Sequence, residues 1–319
     1  MLGNGTFSRG VYFLINGVYY AKKLFSISPG EGKMRALCLV FLLFLSGYSW
    51  AETQAVPLRL ALSAVFLGER QDVVVRWRDY LESHLQRPVM FVQRKSYREL
   101  TDMLQQGELD AAWICSSPYV KHKSVQKLMA VGVWQGEPLY QSYLIVPATD
   151  TTTHSIADLR GKIFAYSDPE SNSGYYVAQG ELLNLGVDPK HFFSKTMFTY
   201  AHRKNVEAVA AGLVNGARVD GYIYDMLNTL YPALIAKTRV VQKSEKFGFP
   251  PIVARIDLPQ AEFRQLSTVL LNMQNDAEGK ALLAALGLDK FVAGNDHLFD
   301  GVAELVSKVD RAGGGVNVP

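Results

Sequence analysis

Cysteine is nearly absent: the chain has two, Cys38 and Cys115. Cys38 falls in an N-terminal segment laid out like a secretory leader, so an exported form would keep Cys115 alone, with no disulfide partner and no Cys/His cluster for zinc. An isolated cysteine is usually a small core hydrophobe, and Cys115 directly follows the apolar "DAAWI". Six histidines are scattered singly, without H-E-x-x-H, so metal capture lacks a ligand set. No G-x-G-x-x-G follows a strand, which removes the phosphate cradle of a nicotinamide site; no metal and no cofactor are expected. Charge of one sign is missing as well. The net value is +3, from 33 Lys and Arg against 30 Asp and Glu, with no basic run, and this argues against a nucleic-acid partner.

One long apolar stretch is present. "KMRALCLVFLLFLSGYSWAETQ" has a basic start (Lys33, Arg35), an apolar core from Ala36 to Leu45, and small residues at Ser49 and Ala51. That is the layout of a cleaved signal peptide rather than of a membrane anchor, which needs about 20 apolar residues. Residues 1–51 are therefore read as leader and signal peptide, with Met34 as the expected start, cleavage after Ala51 and a periplasmic destination.

Beyond residue 57 the chain alternates between strand and helix. "LRLALS", "VMFVQ", "DAAWICS" and "KLMAVGVW" read as strands; Val74, Trp77, Leu81 and Leu85, then Tyr97, Leu100 and Leu104, recur at helical spacing. A second series comes after "LYQSYLIVPATD": the strand "KIFAYS", a helix over 175–185 stopped by Gly186, "FFSKTMFTY", a helix near 205–213 and the strand "VDGYIYD". Near the C-terminus Phe263, Leu266, Leu270 and Met273 form one helical stripe. This rhythm predicts mostly parallel sheets covered by helices. "ELTDMLQQGELDAAWICS" and "NVEAVAAGLVNGARVDGYIYD" share a helix, a glycine turn, an Asp and an apolar run, so each half owns the same unit. The expected architecture is two α/β lobes, 57–145 plus 250–310 and 146–249, with a disordered tail over 311–319. Two extended crossings, near 143–149 and 247–255, would form a hinge around a ligand cleft.

Between a strand end and a helix start lies "SDPESNSGYY" (167–176). One Ser or Asn suffices to cap a helix; three in a row before a glycine exceed that need. Together with "AHRKNVEAVAAG", "VDGYIYD" and "GELDAAWICSSPY", over roughly residues 57–300, this stretch resembles the phosphate/phosphite/phosphonate-binding proteins of ABC transporters, which are type 2 periplasmic binding proteins. The resemblance implies that a small oxyanion sits at the start of the helix, where N–H groups lack internal partners and carry partial positive charge. Ser171, Asn172 and Ser173 would add donors, and Gly174 would let the backbone approach the ligand. His202 stands where the family places a ligand-contacting histidine, able to donate a hydrogen bond and, if protonated, a charge. Asp225 ends "DGYIYD", where the family often carries an acidic contact; beside an anion it makes sense if the ligand brings a proton or an amine. Tyr119 would face the cleft, next to Ser116 and Ser117, which stand where many relatives have a Gly-Pro-like turn. Ser63, ending the first strand, is a weaker candidate. For each there is a plainer alternative: a helix cap, a surface histidine, a solvated Asp, a core tyrosine.

The resemblance also implies a partner: the inner-membrane permease of an ABC transporter, contacted by a monomer. Some relatives are arsenite sensors that hold the metalloid through a first-lobe thiol, and Cys115 falls about there, so delivery to the periplasmic domain of a sensor kinase is the second reading. The third is a hydrolase using Ser173, His202 and Asp225, which lacks G-x-S-x-G at its serine. The expectation is a binding protein, not an enzyme.

Overall fold

A computed structural model describes residues 56–63 and 71–314; the expected leader and the last five residues of the expected tail lie outside the described residues. Within 311–314, Arg311 closes a helix and the Gly314 carbonyl accepts from Tyr175 Oη, so that part of the tail has a defined place.

The first lobe is built on β1 (Leu58–Ser63), β2 (Val89–Arg94), β3 (Ala111–Trp113), β4 (Gln126–Val133), β10 (Pro251–Arg255) and β11 (Lys290–Ala293). They form one sheet in the order β11-β4-β10-β3-β1-β2, with β1 parallel to β2 and β3, and β10 antiparallel to β3 and β4. The second sheet has the same plan. It holds β5 (Leu139–Pro147), β6 (Ile163–Tyr166), β7 (Lys195–Phe198), β8 (Gly216–Asp220) and β9 (Thr238–Gly248) in the order β7-β6-β8-β5-β9. Here β6 is parallel to β7 and β8, and β5 is antiparallel to β8 and β9. In each lobe three parallel strands are followed by one antiparallel strand that has crossed from the other lobe.

Helices cover both sheets, and apolar spacing decides which face they bury. On α1 (Gln71–Leu85), Val73, Trp77, Tyr80, Leu81 and Leu85 are buried, one stripe at helical period. Trp77 meets Trp113 edge-on at 5.8 Å and stacks on Phe291 at 6.3 Å. α2 (Tyr97–Gln105) buries Tyr97, Leu100 and Leu104 and is capped by Ser96, whose hydroxyl accepts from Glu99 N. α3 (Ser116–Lys121) comes after β3. The second lobe carries α4 (Val177–Asn184), α5 (Pro189–Phe192), α6 (His202–Ala210), α7 (Gly221–Leu230) and α8 (Pro232–Ile235); α9 (Gln260–Asn272), α10 (Ala277–Ala285) and α11 (Asp300–Arg311) complete the chain.

Two expectations are corrected. "VDGYIYD" is not one strand: β8 stops at Asp220, whose carboxylate accepts from Tyr222 N and Ile223 N and so starts α7. The apolar run beyond it is a buried helix, which composition alone does not separate from a buried strand. The likeness between the two halves therefore holds for helix and glycine turn but not for Asp110, which precedes β3, against Asp220, which ends β8. The first crossing also lies upstream of 143–149. It is the tight turn at 134–138, where Gln135 and Gly136 have φ of 53° and 84°, because Leu139 already pairs with Gly248 in the second sheet; 139–145 thus belong to the second sheet, not the first. The return crossing runs through Phe249 and Pro250, between β9 and β10.

Under the second sheet lies an ion pair. Arg218, fully buried on β8, donates to Glu181 of α4 through Nε and Nη2 and to the Ser142 carbonyl of β5 at 3.0 Å through Nη1. Removing one partner of such a pair leaves an uncompensated buried charge. Glu181→Ala is expected to cost about 3–5 kcal/mol of unfolding free energy in urea denaturation, and adding Arg218→Met to recover most of that loss.

Candidate functional site

At the end of β6 the chain turns through residues 167–171 and enters a helix inside the protein. Ser171 caps it: its hydroxyl accepts from Gly174 N at 3.0 Å, and its carbonyl accepts from both Tyr175 N and Tyr176 N at 3.0 Å. That double acceptance opens residues Asn172–Tyr176 into a π-turn before α4, a form that recurs at functional sites. Every residue from Ser171 to Tyr176 is buried. Gly174 is required by packing rather than by torsion, since a Cβ there would lie 1.8 Å from Ser167 Oγ and 3.1 Å from Ser171 Oγ. The close approach expected toward a ligand is taken by these two serine side chains.

The three residues ahead of Gly174 divide the work. Ser171 is the cap. Asn172 ties the helix start to the first lobe through its N–H, which donates to Cys115 Sγ at 3.3 Å, and to β5 of its own lobe through its Nδ2, which donates to Tyr140 Oη at 3.0 Å. The Ser173 carbonyl accepts from Ser142 Oγ at 2.6 Å, while its own hydroxyl has no partner. Asn172 Oδ1 and Ser167 Oγ, buried nearby in sequence, are also without partners. Buried polar atoms are nearly always paired, and leaving one unpaired costs about 1–3 kcal/mol.

Cys115 and Ser116 open α3 on the opposite side of the seam, and Tyr140 Oη lies 3.8 Å from Cys115 Sγ and 3.4 Å from Ser116 Oγ. Burial pushes the Cys115 thiol up, so the sulfur meets the Asn172 N–H as a neutral thiol. Tyr140 and Ser142, neither of them among the residues expected at the site, sit two apart on β5, fully buried. Polar groups two apart on a strand are the available signal, because they share one face of the sheet.

His202 begins α6 as expected from its place in the sequence. It is fully buried, and its Nδ1 accepts from Asp220 N at 3.2 Å. The bond assigns the proton to Nε2, so the neutral ring is a donor there. Burial lowers its pKa to about 3, so His202 offers the hydrogen bond without the charge that protonation would bring. Asp220 pairs with Ser142 across β8 and β5. Its Oδ1 accepts from Tyr222 N and Ile223 N, while Oδ2 is buried without a partner, and burial raises the carboxyl to about 7. Ser173, Ser142, Asp220 and His202 are thus joined through consecutive contacts, and Asp220 is the acidic group of this cluster. "DG" at a strand-to-helix junction is a capping signature, hidden here by the aromatic run behind it.

The remaining candidates are elsewhere. Asp225 lies on α7, not at a strand end, and its Oδ2 accepts from Tyr143 Oη at 3.3 Å and from Gln135 Nε2 at 3.5 Å, beside the first crossing. Tyr119 turns its hydroxyl to Asp296 and its ring edge-on to Phe299 at 5.0 Å. Ser63 ends β1 opposite Arg94. A Ser173–His202–Asp225 triad is not assembled, because His202 Nδ1 is held by the Asp220 backbone and Asp225 bonds to other groups.

Comparison with known proteins bears on this geometry. The family model described as "ABC transporter, phosphonate, periplasmic substrate-binding protein" matches residues 69–299. The chain is 25% identical over 256 residues to the phosphonates-binding periplasmic protein of Escherichia coli K12, covering 77% of this chain and 75% of that one. A binding-protein component of an ABC phosphonate transporter from Pseudomonas aeruginosa superposes with a TM-score of 0.75 at 22% identity, over 82% of this chain and 90% of that one. A Prochlorococcus marinus protein solved with methylphosphonate gives 0.71 at 16% identity, over 80% and 98%.

The division of labour at 171–173 is testable by stability alone. Ser171→Ala removes the cap and is expected to cost about 1 kcal/mol. Ser173→Ala removes a hydroxyl that bonds to nothing in the protein and is expected to change urea stability by less than about 0.5 kcal/mol, or to raise it. Equal losses in the two variants would contradict the assignment.

Proposed function

This chain belongs to the family of periplasmic substrate-binding proteins of phosphonate ABC transporters, and we propose that it captures a small tetrahedral oxyanion, a phosphonate, phosphite or phosphate, at the 171–174 helix start. The observation that carries this reading is the set of buried, unpartnered oxygens at that place: Ser167 Oγ, Asn172 Oδ1, Ser173 Oγ and Asp220 Oδ2. Each has a cost in the ligand-free protein that a ligand with matching donors and acceptors offsets. The anion's charge would be met by the dipole of the helix start, by the Ser173 hydroxyl and by the His202 Nε2–H. Asp220 stands where Asp225 was expected to act. A carboxyl beside an oxyanion is favourable when one proton is shared between them, carried in either by the acid or by a P–OH group. Phosphorus oxyanions ionise a second time near neutrality and can bring that proton; sulfate cannot.

The captured ligand is delivered by a monomer to an inner-membrane permease, after the leader over 1–51 has taken the chain to the periplasm and been removed. The second reading, an oxyanion or arsenite sensor acting on a histidine kinase, rests on the contact between Cys115 Sγ and Asn172 N–H. Against it, burial holds the thiol neutral, whereas a soft metalloid is taken by thiolate.

Phosphite, phosphate, methylphosphonate and arsenite would be compared by thermal shift on the mature protein. One phosphorus oxyanion is expected to stabilise it, by about 2.7 kcal/mol at 100 times its dissociation constant. Ser173→Ala and His202→Ala should weaken that shift, and Cys115→Ser should spare it; a shift with arsenite alone, lost in Cys115→Ser, would select the sensor.

Titration calorimetry supplies the pH test. Asp220's carboxyl is raised to about 7, so its contribution to ligand-free stability is present below its ordinary value of 3.8 and lost as pH rises through 7. Binding that shares one proton is then expected to be tightest near pH 7 and to weaken below it, because acid and ligand each carry a proton there and one must be released. Above about pH 7 it is expected to weaken with a slope of about tenfold per pH unit, once acid and ligand have both ionised. Asp220→Asn should abolish that slope; an unchanged slope would remove Asp220 from the site.

A further inference from the structure

Directly ahead of the helix start, residues 168–170 reach across the seam and are gripped by two helices of the first lobe. Asp168 Oδ2 accepts from Tyr97 N, the first N–H of α2, at 3.2 Å, while its Oδ1 accepts from Glu170 N at 2.7 Å and folds the segment back. The Glu170 carbonyl accepts from Ser117 Oγ of α3. Its carboxylate, 7% exposed, lies 3.6 Å from Lys121 Nζ, 3.5 Å from His122 Nε2 and 3.8 Å from Arg98 Nε. Lys121 Nζ also donates at 3.0 Å to the hydroxyl of Tyr176, which ends the π-turn.

These bonds differ in kind from those that hold each lobe together. α2 has its own cap in Ser96, whose hydroxyl takes the Glu99 N–H; the Tyr97 N–H is capped separately, by a carboxylate from the other lobe. Such a bond exists only while the lobes are together, and it lies three residues from Ser171. Charge-assisted bonds of this type are among the stronger ones in proteins.

We propose that Asp168 and Glu170 are positioning residues for ligand capture: they fasten the first lobe to the segment that leads into the 171–174 rim, so that closing the cleft and setting the rim are one event. The proposal rests on the reading that the oxyanion is taken at that rim. Ligand held there leaves only when the grip is released, so weakening the grip acts on dissociation and not on encounter.

The test compares Asp168→Ala, Glu170→Gln and Ser96→Ala with wild type, using methylphosphonate as probe in stopped-flow and small-angle X-ray scattering without ligand. Asp168→Ala is expected to speed dissociation about tenfold or more, and Glu170→Gln several-fold, with association within about twofold of wild type. Ser96→Ala weakens the same end of α2 from inside its own lobe; it should lower the urea midpoint and leave dissociation unchanged. The proposal is overturned if neither seam variant changes dissociation, or if Ser96→Ala matches them. Should methylphosphonate, phosphite and phosphate all fail to bind wild type, the functional reading falls, and scattering alone decides the grip: a larger radius of gyration in Asp168→Ala upholds it, and equal radii overturn it.

Discussion

A helix that begins inside a protein must find partners for its first N–H groups, and here it begins between two sheets. That constraint organises the structure around Ser171. The Ser171 hydroxyl takes the Gly174 N–H, and the Asn172 N–H crosses to the Cys115 sulfur of the other lobe. A sulfur is a weak acceptor for such a donor. The adjoining π-turn holds the opening wide by letting one carbonyl serve two amides. An anion is the natural complement of such an end, because orphan N–H groups and the helix dipole act in the same direction.

The chemistry beside it is neutral. Two ionisable groups joined to the rim, His202 and Asp220, are driven by burial toward their uncharged forms, with pKa values of about 3 and about 7. The buried cation of this lobe, Arg218, faces the Ser142 carbonyl and Glu181 rather than the unpartnered oxygens. Recognition here depends on aligned dipoles and on where a proton sits, and such sites discriminate between isosteric anions through their protonation. Arg218 bonds to β5 beside Ser142, so the ion pair under the sheet supports the strand that presents Ser142 to Ser173.

Much of this was legible in the sequence. Strand and helix alternated visibly, and helical stripes such as Leu100 and Leu104 proved to be buried faces. The serine-rich turn before Gly174 stood out because polar side chains interrupted an apolar context, and His202 because it opened a helix. What stayed hidden was hidden for physical reasons. Asp225 reads as a strand end because "GYIYD" has the composition of a strand, and only the cap on Tyr222 N and Ile223 N shows that a helix is capped at Asp220, five residues earlier. Tyr140 was lost inside β5, where an aromatic residue reads as core. The sequence signal for the first crossing falls too far downstream because β5 is apolar over most of its length and nothing in it marks a change of sheet. Tyr119 reads in the sequence either as a cleft residue or as a core aromatic; its hydroxyl bonds to Asp296, a partner 177 residues away.

The most direct measurement is a crystal structure of the mature protein grown with methylphosphonate. The phosphorus is expected at the start of the 172–184 helix, its oxygens within hydrogen-bond distance of Ser173 Oγ, His202 Nε2 and Asp220 Oδ2. Ligand bound at any other place, with Ser173 and Asp220 still unpartnered, would contradict the oxyanion rim.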